Sequence, residues 1–235
     1  RERLFQTELD PETTKITLGK AYHKVDDDAL LTASRKIIDI HSGAVEPDER
    51  DALVFKSFYD ADDHIREKLV KNADRIKNSI KFRLAKTRSI NKSISSQIFD
   101  PYTLGTITNS QLSNPPSQTN LLSVLGEGSK MTIMGEGGIS GTNQVSGESR
   151  NISNSEAGFI DPLHTPEGGS IGIAAHHTMG TVKLGNDLYG QFVTPSGEKK
   201  FLKPADAYGK VIAFADEYDA NLKPKHKDVR GVQGN

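Results

Sequence analysis

The sequence predicts a mixed α+β fold, and three observations carry that expectation. Apolar residues recur at helical spacing through the first third of the chain, the middle is dominated by Gly, Ser, Asn and Pro, and short strand-like runs separated by turn residues follow Thr178. The expected organisation is a mostly helical segment over residues 1–110, a loop-rich segment over 111–177, and a β-rich segment over 178–235.

Residues 1–27 show strand-like alternation around Ile16 and Leu18 and end on Asp26-Asp27-Asp28. Those aspartates suit the N-cap and first turn of a helix beginning at Ala29, where a carboxylate can accept from free backbone N–H groups. Leu30, Leu31, Ile37 and Ile38 then share one helical face, Gly43 and Pro47 end the segment, and Asp48 is placed to cap the next. Tyr59, Ile65, Leu69, Ile76, Ile80 and Leu84 carry helical spacing to about Lys86. Residues 89–120 read as loop with short ordered pieces, closing on Pro115-Pro116. Gly126, Gly128, Gly135, Gly137, Gly138, Gly141 and Gly147 follow, too many glycines to place inside regular elements without a heavy entropic cost. Short strands are expected at Thr181–Leu184, Phe192–Thr194, Phe201–Leu202 and Val211–Ala215, with turns at Gly185–Asp187 and Pro195–Gly197.

Bulk properties narrow the function classes. The 235 residues are 34% hydrophobic and 6% aromatic, without tryptophan, which predicts a thin core supported by neighbouring chains. A net charge of −1 argues against nucleic-acid binding by overall charge alone. With no cysteine, disulfides and thiolate metal sites are excluded. No apolar run has the length of a membrane span and the N-terminus lacks a signal-peptide core, so a cytoplasmic chain is expected. Both ends fall mid-pattern, as in a piece of a longer or split polypeptide.

The run Asp161-Pro162-Leu163-His164-Thr165-Pro166-Glu167-Gly168-Gly169-Ser170-Ile171-Gly172-Ile173 is the most prescribed path in the chain. Pro166 fixes its own φ and keeps Thr165 out of the α region, so Glu167 and the N–H groups after it are held in place. Taken alone, a tight structural turn explains it equally well. The order of residues goes further. Thr-Pro-Glu-Gly followed by Ile-Gly-Ile resembles the fork-region signature of the second-largest (β) subunit of multisubunit DNA-directed RNA polymerases. Gln118-Thr119-Asn120-Leu121-Leu122-Ser123 and Lys130-Met131-Thr132-Ile133-Met134-Gly135-Glu136-Gly137-Gly138-Ile139-Ser140 resemble that family's rifamycin-pocket segment, ungapped from Asn120 to Gly135. Arg150-Asn151-Ile152-Ser153 with Gly158 is similar to the segment that follows, and Ile37–Gly43 with Asp48–Leu53 resembles the lobe.

The resemblance implies roles that the residues alone leave open. Gly135, Gly137, Gly138 and Gly141 lack the Gly-Lys-Ser/Thr of a P-loop and by themselves suit a surface turn; the family places a fork loop there, beside the edge of melted DNA. Lys130 and Arg150 are solvated cations on the plain reading and nucleic-acid contacts on the family reading. Gln118, Asn120, Glu167 and Ser170 would line the RNA–DNA hybrid. Glu167 has no second carboxylate or metal-ligand set at a usable spacing, which rejects a hydrolase, and His176-His177 matches no zinc pattern. The cations from Arg66 to Lys92, opposed only by Glu67 and Asp74, suit a solvated helix face or an acidic or nucleic-acid partner equally.

The departures from the family are also informative. His164 stands where relatives have the first Glu of Glu-Thr-Pro-Glu-Gly, and Asp161 where they have Cys. The basic triplet before the glycines is reduced to Ser129-Lys130. Such divergence resembles the polymerases of large bacteriophages, whose β subunit is often split. At the rifamycin positions Asn114, Ser117, Glu127, Lys130 and Thr132, Glu127 replaces a histidine and Ser117 an aspartate. Each unpaired polar group costs about 1–3 kcal/mol, so two such losses predict affinity weaker by roughly two to four powers of ten. The resemblance thus implies part of a β-like subunit forming a cleft wall beside template DNA and nascent RNA. A β′-like subunit would hold Mg2+, the remaining part of β would contact the nucleotide, and this chain alone would be inactive. The rival is a non-catalytic nucleic-acid-binding or structural module that kept the fold.

Overall fold

The computed structural model describes residues 2–115, 119–219 and 221–233. It is a mixed α+β structure with nine α-helices and seven short strands among those residues. The first third is helical, in α1 (Glu2–Phe5), α2 (Pro11–Leu18), α3 (Asp27–His41), α4 (Ala61–Lys71) and α5 (Ala73–Thr87). Ile16 and Leu18, expected in a strand, lie in α2. Pro11 opens that helix with a preset φ, and the Asp10 carboxylate accepts from the N–H groups of Glu12 and Thr13 at 3.2 and 3.1 Å. Asp26 caps α3 by accepting from Ala29 N at 2.7 Å. Among the described residues Asp48 caps no helix: it pairs with Lys36, and the next α-helix waits for Asp60. α5 breaks from α4 at Asn72 and ends in a left-handed cap at Arg88.

The expected loop over 89–120 holds α6 (Ile90–Ser93) and α7 (Leu104–Thr108). The middle segment also holds a helix and two strands that were not foreseen. Gly126 and Gly128 lie in α8 (Leu121–Gly128), whose N-cap is Asn120. β1 (Lys130–Thr132) pairs antiparallel with β2 (Ala174–His176), matching Lys130 to His176 and Thr132 to Ala174. These strands are too short to show a period, and their partners are remote in sequence. C-terminal strands appear near the expected places, β4 starting five residues earlier than expected: β3 (Val182–Leu184), β4 (Asp187–Val193) and β5 (Lys199–Leu202) form one antiparallel sheet. After α9 (Pro204–Ala207), β6 (Val211–Ala213) pairs with β7 (Gly231–Gln233).

The core is small, as the composition predicts. Leu53, Phe159, Leu188 and Ala207 form its buried cluster, with Phe58, Met131, Ile160, Phe192 and Ile212 packed around them. Phe159 and Phe192 meet at 5.2 Å between centroids with planes tilted by 60°. Polar ties run through the same place: Leu53 N donates to Ser155 Oγ at 2.8 Å, and Phe58 N to the Asn186 carbonyl at 2.8 Å. Large apolar side chains remain outside the core, most of all on α8, where Leu121, Leu122 and Leu125 are 82%, 76% and 68% exposed.

Candidate nucleic-acid interface

The β1–β2 pair holds together the two segments that the sequence singled out. Its ladder is extended at both ends, by Ile133 N donating to Ile173 O and His177 N to Ser129 O, each at 3.0 Å. Beyond β1 the chain turns through the glycines: Gly138 N donates to Gly135 O at 3.0 Å and Ile139 N to Ile133 O at 2.9 Å. Gly138 passes so close to the Ile133 carbonyl that a Cβ there would collide with it. The tip of this turn is tied to the helical segment by Lys68 and Glu136, 3.3 Å apart.

Before β2 runs the Asp161–Ile173 loop. The Asp161 carboxylate accepts from Leu163 N at 2.9 Å and His164 N at 3.4 Å, which sets its entry. His164 then stacks on His176, with ring centroids 3.7 Å apart and planes within 11°. His176 Nδ1 lies 3.0 Å from both Gly126 O and Ser129 Oγ. Burial lowers the His176 pKa from its ordinary value near 6.5, and the neighbouring His164 and Lys130 add to that, which favours the neutral His176 ring. At its far end the loop is held by Arg150. Nη1 donates to Gly169 O at 3.1 Å and Ile171 O at 3.2 Å, and Nη2 to Thr142 O at 2.8 Å.

Between these loops lies an open cleft of about 2860 Å³, lined by Lys130, Gly135, Gly137, Gly138, Arg150 and Ser170 among others. Asn114, Glu127 and Thr132 line it too. Lys130 is exposed and, among the described residues, makes no ion pair. Asn120, Gly141 and Glu167 are not among the lining residues. Asn120 is engaged as the cap of α8, accepting from Ser123 N at 2.8 Å, while Glu167 is exposed at the head of a 3-10 turn over Gly168–Ser170. Gln118 and Ser117 lie outside the described residues. Sequence reasoning passed over three contributors to this site: the His164–His176 stack, Gly172, and the Lys68–Glu136 tie. His164 was visible as a departure from the family and Gly172 as part of Ile-Gly-Ile, whereas nothing in the sequence links Lys68 to Glu136.

One carboxylate cluster lies on the rim of the cleft. Asp60, Asp62 and Asp63 gather their oxygens within 4.8 Å, but Lys183 Nζ already sits among them, 3.0 Å from Asp60 and 2.7 Å from Asp63. Arg66 reaches Asp62 and Asp63 as well, at 3.6 and 3.5 Å. A hydrogen bond from Asp62 holds the Asp60 pKa down to about 2, with Lys183 assisting against the effect of burial. With an ammonium in its centre the cluster does not fit a catalytic divalent ion.

Residues 116–181, which contain the glycine turn, Arg150 and the whole Asp161–Ile173 loop, match the family model described as RNA polymerase Rpb2, domain 3. Over these residues the chain is similar to that domain. The wider chain is similar to DNA-directed RNA polymerase β subunits of bacteria. It is 27% identical over 213 residues to that of Nitratidesulfovibrio vulgaris, covering 84% of this chain and 15% of the relative. For Oleidesulfovibrio alaskensis the identity is 34% over 130 residues, covering 51% and 9%. For Thermosipho melanesiensis it is 29% over 171 residues, covering 71% and 14%. The chain thus corresponds to part of a β-like subunit and spans about one-seventh of the length of the longest-matched relatives. Among the described residues no helix is long and apolar enough to cross a membrane.

Proposed function

We propose that this β-like segment forms one wall of the nucleic-acid cleft of a multisubunit DNA-directed RNA polymerase, beside the RNA–DNA hybrid and the downstream fork. The observation that supports it best is that two sequence-remote blocks of the family, the glycine turn after β1 and the Thr-Pro-Glu-Gly loop before β2, border one open cleft. Lys130 lines it without an ion pair among the described residues and is suited to a phosphate of the template or nascent RNA, adding affinity that is independent of sequence. Gly137 and Gly138 keep the turn slim, so that backbone can approach a strand. Ser170 supplies a hydroxyl to the same wall.

Template-directed nucleotidyl transfer needs metal ions at the transferring phosphoryl group. Among the described residues the one gathered carboxylate group already holds Lys183, and on this reading Mg2+ belongs to a β′-like partner, while this chain shapes the cleft and separates strands in a cytoplasmic complex. A large-bacteriophage source with a divided β subunit fits the reduced basic run before the glycine turn. Pull-down of the full protein carrying this segment should recover a chain with an Asp-x-Asp-x-Asp loop, and the complex should bind a DNA–RNA scaffold. In that complex Lys130→Ala should weaken binding at all sequences alike and reduce the log–log salt slope by roughly one unit. Recovery of the protein alone, with no scaffold binding, would leave a structural module as the correct reading. Run-off transcription should continue at rifamycin concentrations that stop a bacterial enzyme, because Glu127 faces the cleft where the family has a histidine.

A further inference from the structure

We propose that Arg150 is a positioning residue that clamps the two loops of the cleft wall to each other, and that its influence on nucleic acid runs through those loops. Arg150 is a half-buried residue, and its guanidinium uses three of its five N–H donors on main-chain carbonyls: Gly169 and Ile171 on one loop, Thr142 on the other. Among the described residues no carboxylate pairs with it, so carbonyl dipoles alone answer its charge. Only a planar, forked cation reaches carbonyls in these directions at once; an ammonium is a point donor on a flexible stem. The backbone at Arg150 is part of the same joint. Gly172, at φ +68°, lies directly on it, and a Cβ at Gly172 would come within 2.5 Å of Arg150 Cβ and 2.6 Å of its Cα. The short turns that the clamp steadies are weak by themselves: Gln144 N donates to Gly141 O at 3.1 Å, and Ile171 N to Gly168 O at 3.2 Å. Among the described residues Lys130, which also lines the cleft, has no such partners.

What the loops do rests on the function proposed above, but the clamp can be read without nucleic acid. In the assembled complex, Arg150→Ala and Arg150→Lys should both speed amide hydrogen exchange at Gln144, Val145, Ile171 and Ile173 by about tenfold or more, since charged hydrogen bonds are lost. Ethylguanidinium in the buffer should restore protection to Arg150→Ala. Gly172→Ala, which displaces the Arg150 backbone and leaves the charge intact, should loosen the same two loops. The salt slope of scaffold binding should keep its wild-type value in both Arg150 variants while falling by about one unit in Lys130→Ala. A slope reduced by one unit in Arg150→Ala and restored in Arg150→Lys, with loop exchange unchanged, would make Arg150 a phosphate ligand and overturn the clamp. Unchanged exchange and unchanged slope in both variants would overturn it as well. If the wild type binds no scaffold, the polymerase reading fails, and the exchange and rescue results still decide the clamp.

Discussion

Helices α4 and α5 follow one another across Asn72 and share one run of cations, yet the two treat their charge differently. On α4, Arg66 faces Asp62 and Asp63, Lys71 lies 2.6 Å from Glu67, and Lys68 reaches Glu136 on the glycine turn at 3.3 Å. On α5, none of Arg75, Lys77, Lys81 and Lys86 makes an ion pair among the described residues, and Arg83 reaches only Ser95 Oγ, at 3.5 Å. α4 borders the cleft and is joined to it through Asp60, Asp63 and Lys183 of β3. α5 packs Ile76 inward and turns its cations outward, with Phe82 74% exposed beside them. A run of like charges in sequence is therefore two things in space. One half belongs to an internal network that seats α4 against the cleft, and the other is a face left free.

The comparison can be broken first at Lys183. Replacing it with Met leaves the buried Asp63 carboxylate without its 2.7 Å partner, and unpairing a buried charge is expensive. Chemical denaturation of the full protein should show a loss of about 2–4 kcal/mol for this region; a loss indistinguishable from wild type would mean that Arg66 alone suffices. Ile76→Ala, on the buried side of α5, should cost about 2 kcal/mol by removing buried methyl groups, which would show that α5 is held by packing while α4 is held largely by charge.

A smaller effect comes from acid. The Asp60 carboxyl is held to about 2, first by Asp62, so its folded pKa lies below its usual 3.8. It therefore contributes stability that is present above pH 3.8 and lost as pH falls towards 2. Asp62 is shifted upward by the same bond and offsets part of this. Asp60→Asn should flatten the unfolding profile in that window, and an unaltered profile would remove Asp60 from the network. The smallest effect is expected on the free face: Lys77→Gln with Lys81→Gln should change stability by less than about 0.5 kcal/mol, in either direction. A clear destabilisation there would reveal an internal partner and erase the contrast between the helices.

Much of this was legible in the residues. The aspartates before α3, the helical spacing across α4 and α5, and the turn residues between β3, β4 and β5 act over a few positions, and local rules read them correctly. The brief alternation at Ile16 and Leu18 misled the strand-like reading, because the helix-opening Pro11 outweighs it. The family signature likewise lies in linear order, so the sequence could point to the glycine turn and the Thr-Pro-Glu-Gly loop. What it could not decide was how the two meet. Lys130 and Arg150 are the same kind of residue in the sequence, each an isolated cation beside glycines. Tertiary structure separates them, surrounding Arg150 with the carbonyls of Thr142, Gly169 and Ile171 and leaving Lys130 open to the cleft. The stacking of His164 on His176 and the seat of Lys183 between Asp60 and Asp63 were settled the same way. The physical reason is range. Caps, turns and periodicity depend on neighbours along the chain, whereas the partner of a charge or a ring depends on which distant segments the small core around Leu53 and Phe159 brings together.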